Sequence, residues 1–153
     1  MRPKAEPAPG SARTTGPAHP LLRFLTYGLV GCAVESAFST ALTARRDGRF
    51  HLHGPSTAWM LPLYGLAMPA FEVAHDRLRD RPTILRGATY ATGIFAVEAA
   101  SGWLLRRSTG RCPWDYSDRS PLAVAGLIRL DYAPLWATLG LAAEVLHDRL
   151  TGR

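Results

Sequence analysis

The sequence predicts an all-α protein, specifically an integral membrane four-helix bundle built from two parallel two-helix repeats. Four apolar segments occupy residues 21–150, which form one domain. Sliding the chain by 63 residues aligns the first segment with the third, and sliding it by 72 aligns the second with the fourth. Glycines and other small residues recur inside the segments, as is typical of helices that pack closely in lipid.

The elements follow in chain order. Residues 1–20 hold five of the twelve prolines and no apolar run, so a disordered tail is expected, with the first span as an uncleaved anchor. Each later segment is helical by its length and by its Ala, Leu, Gly and Met content. The predicted spans are about 21–43, 56–74, 84–105 and 132–146.

A soluble helical bundle is the alternative, since the mean hydropathy is only −0.02 and a single glutamate interrupts three of the segments. Away from these glutamates, however, the segments are apolar on all sides, whereas a soluble amphipathic helix would have a broad charged face. One glutamate at the centre of a span costs about 3 kcal/mol, which a dozen apolar residues can offset. The membrane is therefore favoured.

The charge pattern favours the same environment. The net charge is +6, and 17 of the 18 basic residues are arginines that flank the apolar segments. This distribution fits an anionic membrane surface rather than a nucleic acid. Four spans put both termini on the same side of the membrane. Ten of the Lys and Arg residues lie on that side and eight on the other. A multi-pass cell-membrane protein with cytoplasmic termini is therefore expected.

Two glutamates lie near the middle of their spans, at the matched positions Glu35 and Glu98. Acids in such surroundings are functional candidates, here as a proton or cation relay or as an anchor for a polar headgroup. The alternatives are structural pairs with nearby hydroxyl or guanidinium groups, from Ser36, Ser101, Tyr27, Tyr90, Arg23, Arg86 or Arg129.

The other two glutamates belong to repeated Glu-x-x-His motifs, Glu72 with His75 and Glu144 with His147. Two such helices plus two helices with one glutamate each are the ligand set of a di-iron or di-manganese carboxylate site. The competing interpretation is a polar helix end at the membrane interface, and it is the favoured one.

A loop motif carries a family resemblance. The stretch from Gly110 to Ser117, with the block Trp114, Asp115, Tyr116 and Ser117, followed by Gly126-Leu127-Ile128, resembles the ABC-transporter permease family of CmpB type, which includes the vertebrate transmembrane protein 229 proteins. Further matching residues are Glu35, Glu98, Gly54, Pro55, Pro62, Tyr64 and Gly65. The resemblance covers about residues 21–150 and implies a four-helix integral membrane protein.

Three of these motifs have local interpretations. Asp115 either makes an Asx-type turn with Ser117 or contacts a cation or headgroup at the mouth of a Glu35/Glu98 cavity. Gly54-Pro55 is predicted to be a loop turn, and Pro62 a break in the second helix. Pro134 is the repeat equivalent of Pro62.

The expected function is non-enzymatic: a transporter-like protein that handles an ion or small solute through Glu35 and Glu98, without a cofactor. The chain has no Walker motif, so any ATPase would be a separate subunit, and four spans are few enough that a homodimer or larger complex is expected. The alternatives are a membrane-embedded di-metal carboxylate enzyme and a non-catalytic membrane scaffold or assembly subunit.

Overall fold

The computed structural model describes residues 18–47 and 54–152, and these residues fold mainly as four helices. The helices are α1 (Pro20–Asp47), α2 (Gly54–Leu78), α3 (Thr83–Thr109) and α4 (Ala133–Thr151). The all-α prediction is therefore confirmed. The disordered tail predicted for residues 1–20 lies outside the described residues except at its end, where Pro20 already belongs to α1.

The helices pair as two antiparallel hairpins. In the first hairpin α1 packs along α2, so that Arg23 near the start of α1 meets Glu72 near the end of α2. In the second hairpin α3 packs along α4 in the same way, and Arg86 meets Glu144. Direct contact between the hairpins is less extensive and runs mainly through α2 and α3.

Glycines set the helix spacing within each hairpin. A Cβ atom added at Gly28 would lie 2.8 Å from the carbonyl oxygen of Leu61, so the backbones of α1 and α2 nearly touch there. In the second hairpin, a Cβ atom added at Gly140 would lie 2.3 Å from the Cβ atom of Tyr90. Small residues at these crossings therefore allow a close approach that any side chain would block.

Two predictions about proline were wrong. Gly54 and Pro55 are the first residues of α2 rather than a loop turn, and α2 continues through Pro62 and Pro69 without a break. A proline near a helix start loses nothing, because the first N–H groups have no intrahelical partner. Pro62 does remove one backbone hydrogen bond, but the close packing of α1 against this part of α2 keeps the helix continuous.

The long connection between α3 and α4 is more structured than a plain loop. It contains a small antiparallel hairpin of β1 (Ala123–Val124) and β2 (Ile128–Arg129), followed by a 3-10 helix, Leu130–Tyr132. The β-turn places Ala125 and Gly126 at φ of 52° and 69°. The left-handed conformation explains the glycine at 126, and Ala125 is the strained residue of the turn.

The exterior of the helices is strongly apolar. Within the part of the chain that the structure describes, α1 is the one helix long and apolar enough to cross a membrane, over Pro20–Ala41, and little of this stretch is buried. Exposed large apolar side chains occur on all four helices, including Leu29 on α1, Leu66 on α2, Leu104 on α3 and Val145 on α4. By contrast, the buried polar residues among those the structure describes are His75 and His147.

We expect Gly140→Ala to destabilise the protein by about 1–3 kcal/mol, because the new methyl group would overlap Tyr90, which a hydrogen bond to Glu144 holds in place. Gly93→Ala is the matched control, since nothing lies within 4 Å of its new Cβ. Unfolding of both variants in detergent micelles measures the difference. Equal stability of the two variants would contradict the close crossing.

Candidate functional site

A cavity of about 270 Å³ lies between the two hairpins. All four helices contribute to its wall, and the loop after α3 contributes Trp114 and Tyr116. Most of the wall is apolar or aromatic, with Met60, Leu63, Met68, Phe71, Ile94, Val97 and Leu139 among the lining residues. Its volume is close to the lower end of the range for small-molecule sites, about 300–1,000 Å³.

Glu35 and Glu98 both line this cavity, together with Leu63 and Tyr64 of α2. Gly65 is not among the lining residues. The Tyr64 hydroxyl donates a hydrogen bond to Glu35 Oε2 at 3.2 Å, and Ser39 donates to Oε1 at 3.3 Å. Glu35 is therefore positioned by a tyrosine of α2 and a serine of its own helix.

Glu98 is less satisfied than Glu35. Its Oε2 atom is buried and makes no hydrogen bond with any described residue. Trp136 lies near this carboxyl group, but its indole N–H is buried and likewise has no hydrogen-bond partner among the described residues. The described residues that line the cavity include no arginine, lysine or histidine, so these two carboxyl groups have no cationic partner on its wall.

The structural partners considered for these two acids are mostly engaged elsewhere. Arg23 and Arg86 pair with Glu72 and Glu144, and Arg129 pairs with Asp131. Ser101 donates to the carbonyls of Val97 and Glu98, not to the Glu98 carboxylate. The alternative in which one of these arginines pairs with Glu35 or Glu98 is therefore not what the structure shows, because each of them pairs with another acid.

A second polar site, the crossed cluster, lies at the end of the bundle where α1 and α3 begin and α2 and α4 end. It consists of Arg23, Tyr27, Glu72, His75, Arg86, Tyr90, Glu144 and His147. Within each hairpin an arginine pairs with a glutamate: Arg23 Nη1 is 3.1 Å from Glu72 Oε1, and Arg86 Nε is 3.3 Å from Glu144 Oε1.

Between the hairpins the contacts cross. His147 Nδ1 lies 3.5 Å from Glu72 Oε1, and His75 Nδ1 lies 3.5 Å from Glu144 Oε1. The tyrosines join the same groups, because Tyr27 Oη is 3.2 Å from His147 Nδ1 and Tyr90 Oη is 3.3 Å from His75 Nδ1. The imidazole rings meet edge to face, with centroids 4.9 Å apart.

The crossed cluster thus brings together all four residues of the Glu-x-x-His motifs, although each glutamate already neutralises an arginine. Tyr27, Tyr90, Arg23 and Arg86 were not predicted to be partners of these motifs. The signal was present, since an arginine and a tyrosine four residues apart recur at the 63-residue offset. The sequence pattern does not indicate that each histidine contacts the glutamate of the other hairpin.

The cluster is asymmetric at its solvent side. Arg79 Nη2 lies 2.6 Å from Asp148 Oδ1 and 3.0 Å from His75 Nε2. The other histidine has no such neighbour: His147 Nε2 is buried without a hydrogen-bond partner among the described residues.

The loop motif closes the other end of the cavity. Trp114 is buried and donates its indole N–H to the Leu127 carbonyl at 3.2 Å, and Tyr116 packs edge to face on Tyr132. Asp115 faces outward and does not line the cavity; its Oδ1 accepts hydrogen bonds from the hydroxyl and the amide of Ser117. These bonds hold the pKa of Asp115 below its usual value.

Comparison with known families identifies one that matches most of the chain. Residues 22–151 match the family described as "Putative ABC-transporter type IV", and the chain belongs to that family. No solved structure matches the chain.

We expect Glu72→Gln to cost about 2–4 kcal/mol of stability, because it leaves Arg23 without its counter-ion in a mostly buried site. Glu35→Gln is the matched substitution at the cavity. It is expected to cost less than about 1 kcal/mol, since an amide oxygen still accepts from Tyr64. Denaturant unfolding of the two variants checks this order, and the reverse order would contradict the assignment.

The loop is expected to loosen in acid. Asp115 and Asp131 both have lowered pKa values, through hydrogen bonds from Ser117 and Arg129 respectively. Their contribution is therefore complete above the unfolded pKa of about 3.9 and is lost as the pH falls through the lower folded values. Hydrogen exchange of residues 111–132, corrected for intrinsic rates, should show reduced protection at pH 3 relative to pH 6. In Asp115→Asn with Asp131→Asn, protection independent of pH is expected; an unchanged pH response would refute the link.

Proposed function

We propose that this protein is the membrane-embedded, non-enzymatic subunit of a transporter, with four spans and a cavity that accepts a small cationic solute. Membership of a transporter family supports the general class. Helices of 28, 25, 27 and 19 residues would extend about 42, 38, 40 and 28 Å, comparable with or longer than a hydrocarbon core of about 30 Å. Apolar side chains that are exposed on every helix have lipid as their natural solvent.

We further propose that the two hairpins are copies of one ancestral hairpin, related by an axis along the membrane normal. Matched positions make matched contacts: Arg23–Glu72 corresponds to Arg86–Glu144, and Tyr27–His147 corresponds to Tyr90–His75. Because both pairs of contacts obey the offsets of 63 and 72 residues, chance similarity of apolar segments does not account for them.

The observation that carries the choice of solute is the charge of the cavity wall. Its acidic residues are Glu35 and Glu98, and no basic residue accompanies them among the described lining residues. Tyr64, Tyr116 and Trp114 add aromatic rings, whose faces attract cations. An anion would meet two acids and no donor of positive charge, so a proton, a metal cation or an organic cation fits better.

The apolar remainder of the wall selects among these cations. A small inorganic ion would lose its hydration shell and gain few oxygen ligands from Met, Leu and Ala side chains. An organic cation with an apolar body would bury that body against the same residues. The preferred ligand class is therefore a small organic ammonium compound.

The proposed transporter needs partners, because one chain supplies neither an ATPase nor a complete pathway. Energy from ATP would require a separate ATPase subunit, consistent with the transporter family. A homodimer or larger membrane complex would complete a pathway that four helices surround only in part. The excess of Lys and Arg residues at the end that bears the termini, ten against eight, supports a cytoplasmic position for that end.

The test reconstitutes the chain into proteoliposomes and first checks that alkali does not extract it from the bilayer. Binding and flux of tetraethylammonium are then measured. We expect saturable binding by the unaltered chain and a loss of at least about tenfold in affinity for Glu35→Gln with Glu98→Gln, because two carboxyl groups are neutralised. Asp80→Asn, at an exposed turn, is the control and should bind normally.

Extraction of the chain by alkali would contradict the membrane assignment. Membrane integration without saturable binding, or binding that the double glutamate variant retains in full, would contradict the cation site. The two failures are thus distinguishable.

A further inference from the structure

We propose that His75, His147 and Asp148 form a site for one divalent transition-metal ion, zinc being the best match, and that Arg79 occupies the position of the ion in its absence. The three side chains offer one ligand atom each, all within 4.8 Å of one another. The site lies at the solvent side of the crossed cluster and is separate from the Glu35/Glu98 cavity.

The hydrogen bonds favour one tautomer of His75. Tyr90 donates to Glu144 Oε1 at 2.7 Å, so its oxygen is left to accept from His75 Nδ1 at 3.3 Å. The proton of His75 is then on Nδ1, and its Nε2 carries a lone pair. Arg79, which has only donors, points at that atom from 3.0 Å, as this assignment requires.

His147 is set up in the same way. Its Nδ1 lies 3.2 Å from Tyr27 Oη and 3.5 Å from Glu72 Oε1, and the nearby carboxylate favours a proton on this nitrogen. Its Nε2, which then carries a lone pair, has no hydrogen-bond partner among the described residues, although the residue is 98% buried. A buried acceptor without a donor costs free energy unless something fills the position.

A metal ion would satisfy all three acceptors at once. His75 Nε2 and Asp148 Oδ1 are 3.3 Å apart, about the separation of two ligands on a tetrahedral zinc ion with bonds of about 2.0–2.1 Å. Two imidazoles and one carboxylate are a donor set for zinc or ferrous iron rather than for magnesium or calcium. Glu72 and Glu144 stand behind the histidines as the carboxylates that orient metal-binding imidazoles.

Arg79 is the competitor for the site. Its guanidinium lies between two of the proposed ligands, His75 Nε2 and Asp148 Oδ1, and supplies the positive charge that an ion would supply. The Arg79 side chain is 40% exposed and Asp148 is 35% exposed, so the arginine can swing into solvent and leave an entry path. Metal binding and release would then exchange with arginine docking.

The experiment titrates Co²⁺ and then Zn²⁺ into the full chain in detergent after chelator treatment. One Co²⁺ per chain is expected, with the intense visible bands of a low-coordinate site, displaced by Zn²⁺ but not by Mg²⁺. Asp148→Asn and His147→Gln should each weaken zinc binding at least about 100-fold, and Glu72→Gln, which only orients His147, about 10–100-fold.

Arg79→Ala should strengthen zinc binding severalfold, because it removes the competitor and leaves the ligands in place. Asp80→Asn is the control for adventitious binding to surface carboxylates at the same end of the bundle and should change nothing. Asp148→Asn affects a half-exposed residue, so it keeps the test valid if His147→Gln fails to fold. Absence of stoichiometric binding, binding unaffected by Asp148→Asn, or weaker binding in Arg79→Ala would overturn the proposal.

Discussion

The structure depends on how it neutralises carboxylates that sit among apolar helices, and above all on the crossed contacts of Glu72 with His147 and Glu144 with His75. Each of these glutamates also pairs with an arginine of its own hairpin. The same two carboxylates therefore stabilise each hairpin and join the hairpins to each other. Because a buried imidazole without hydrogen-bond partners is costly, the histidine of each hairpin depends on the tyrosine and the glutamate of the other.

The position of this cluster determines what lies between the hairpins. The crossed cluster closes one end of the bundle, and the loop with Trp114 and Tyr116 closes the other. Between them the hairpins part enough to leave a cavity of about 270 Å³. Of the acids on its wall, Glu35 accepts hydrogen bonds from two hydroxyl groups and Glu98 lies near the indole of Trp136, and the described residues of the wall include no cation. Glu72 and Glu144 are thus paired with arginines, whereas Glu35 and Glu98 have no cationic partner among the described residues of the cavity wall.

Helix number, approximate helix bounds and the family could be predicted from the sequence, because apolar segments of this length leave few alternatives and the Trp114-Asp115-Tyr116-Ser117 block is specific. The partners of the acids could not. Offsets of 63 and 72 residues show which positions are equivalent, but not that the equivalents cross between hairpins. Likewise, proline chemistry alone predicts a break at Pro62, whereas packing against α1 keeps α2 continuous. Rules based on local sequence thus failed where contacts between helices determine the structure.

The most direct test of this account is a double-mutant cycle between Tyr27 and His147, which contact each other across the hairpins at 3.2 Å. Unfolding free energies of Tyr27→Phe, His147→Gln and the double variant would be measured in detergent micelles. The account predicts a coupling energy of about 0.5–3 kcal/mol, because each residue loses the same contact. A coupling energy indistinguishable from zero, with both single variants folded, would show that the crossed contacts do not join the hairpins.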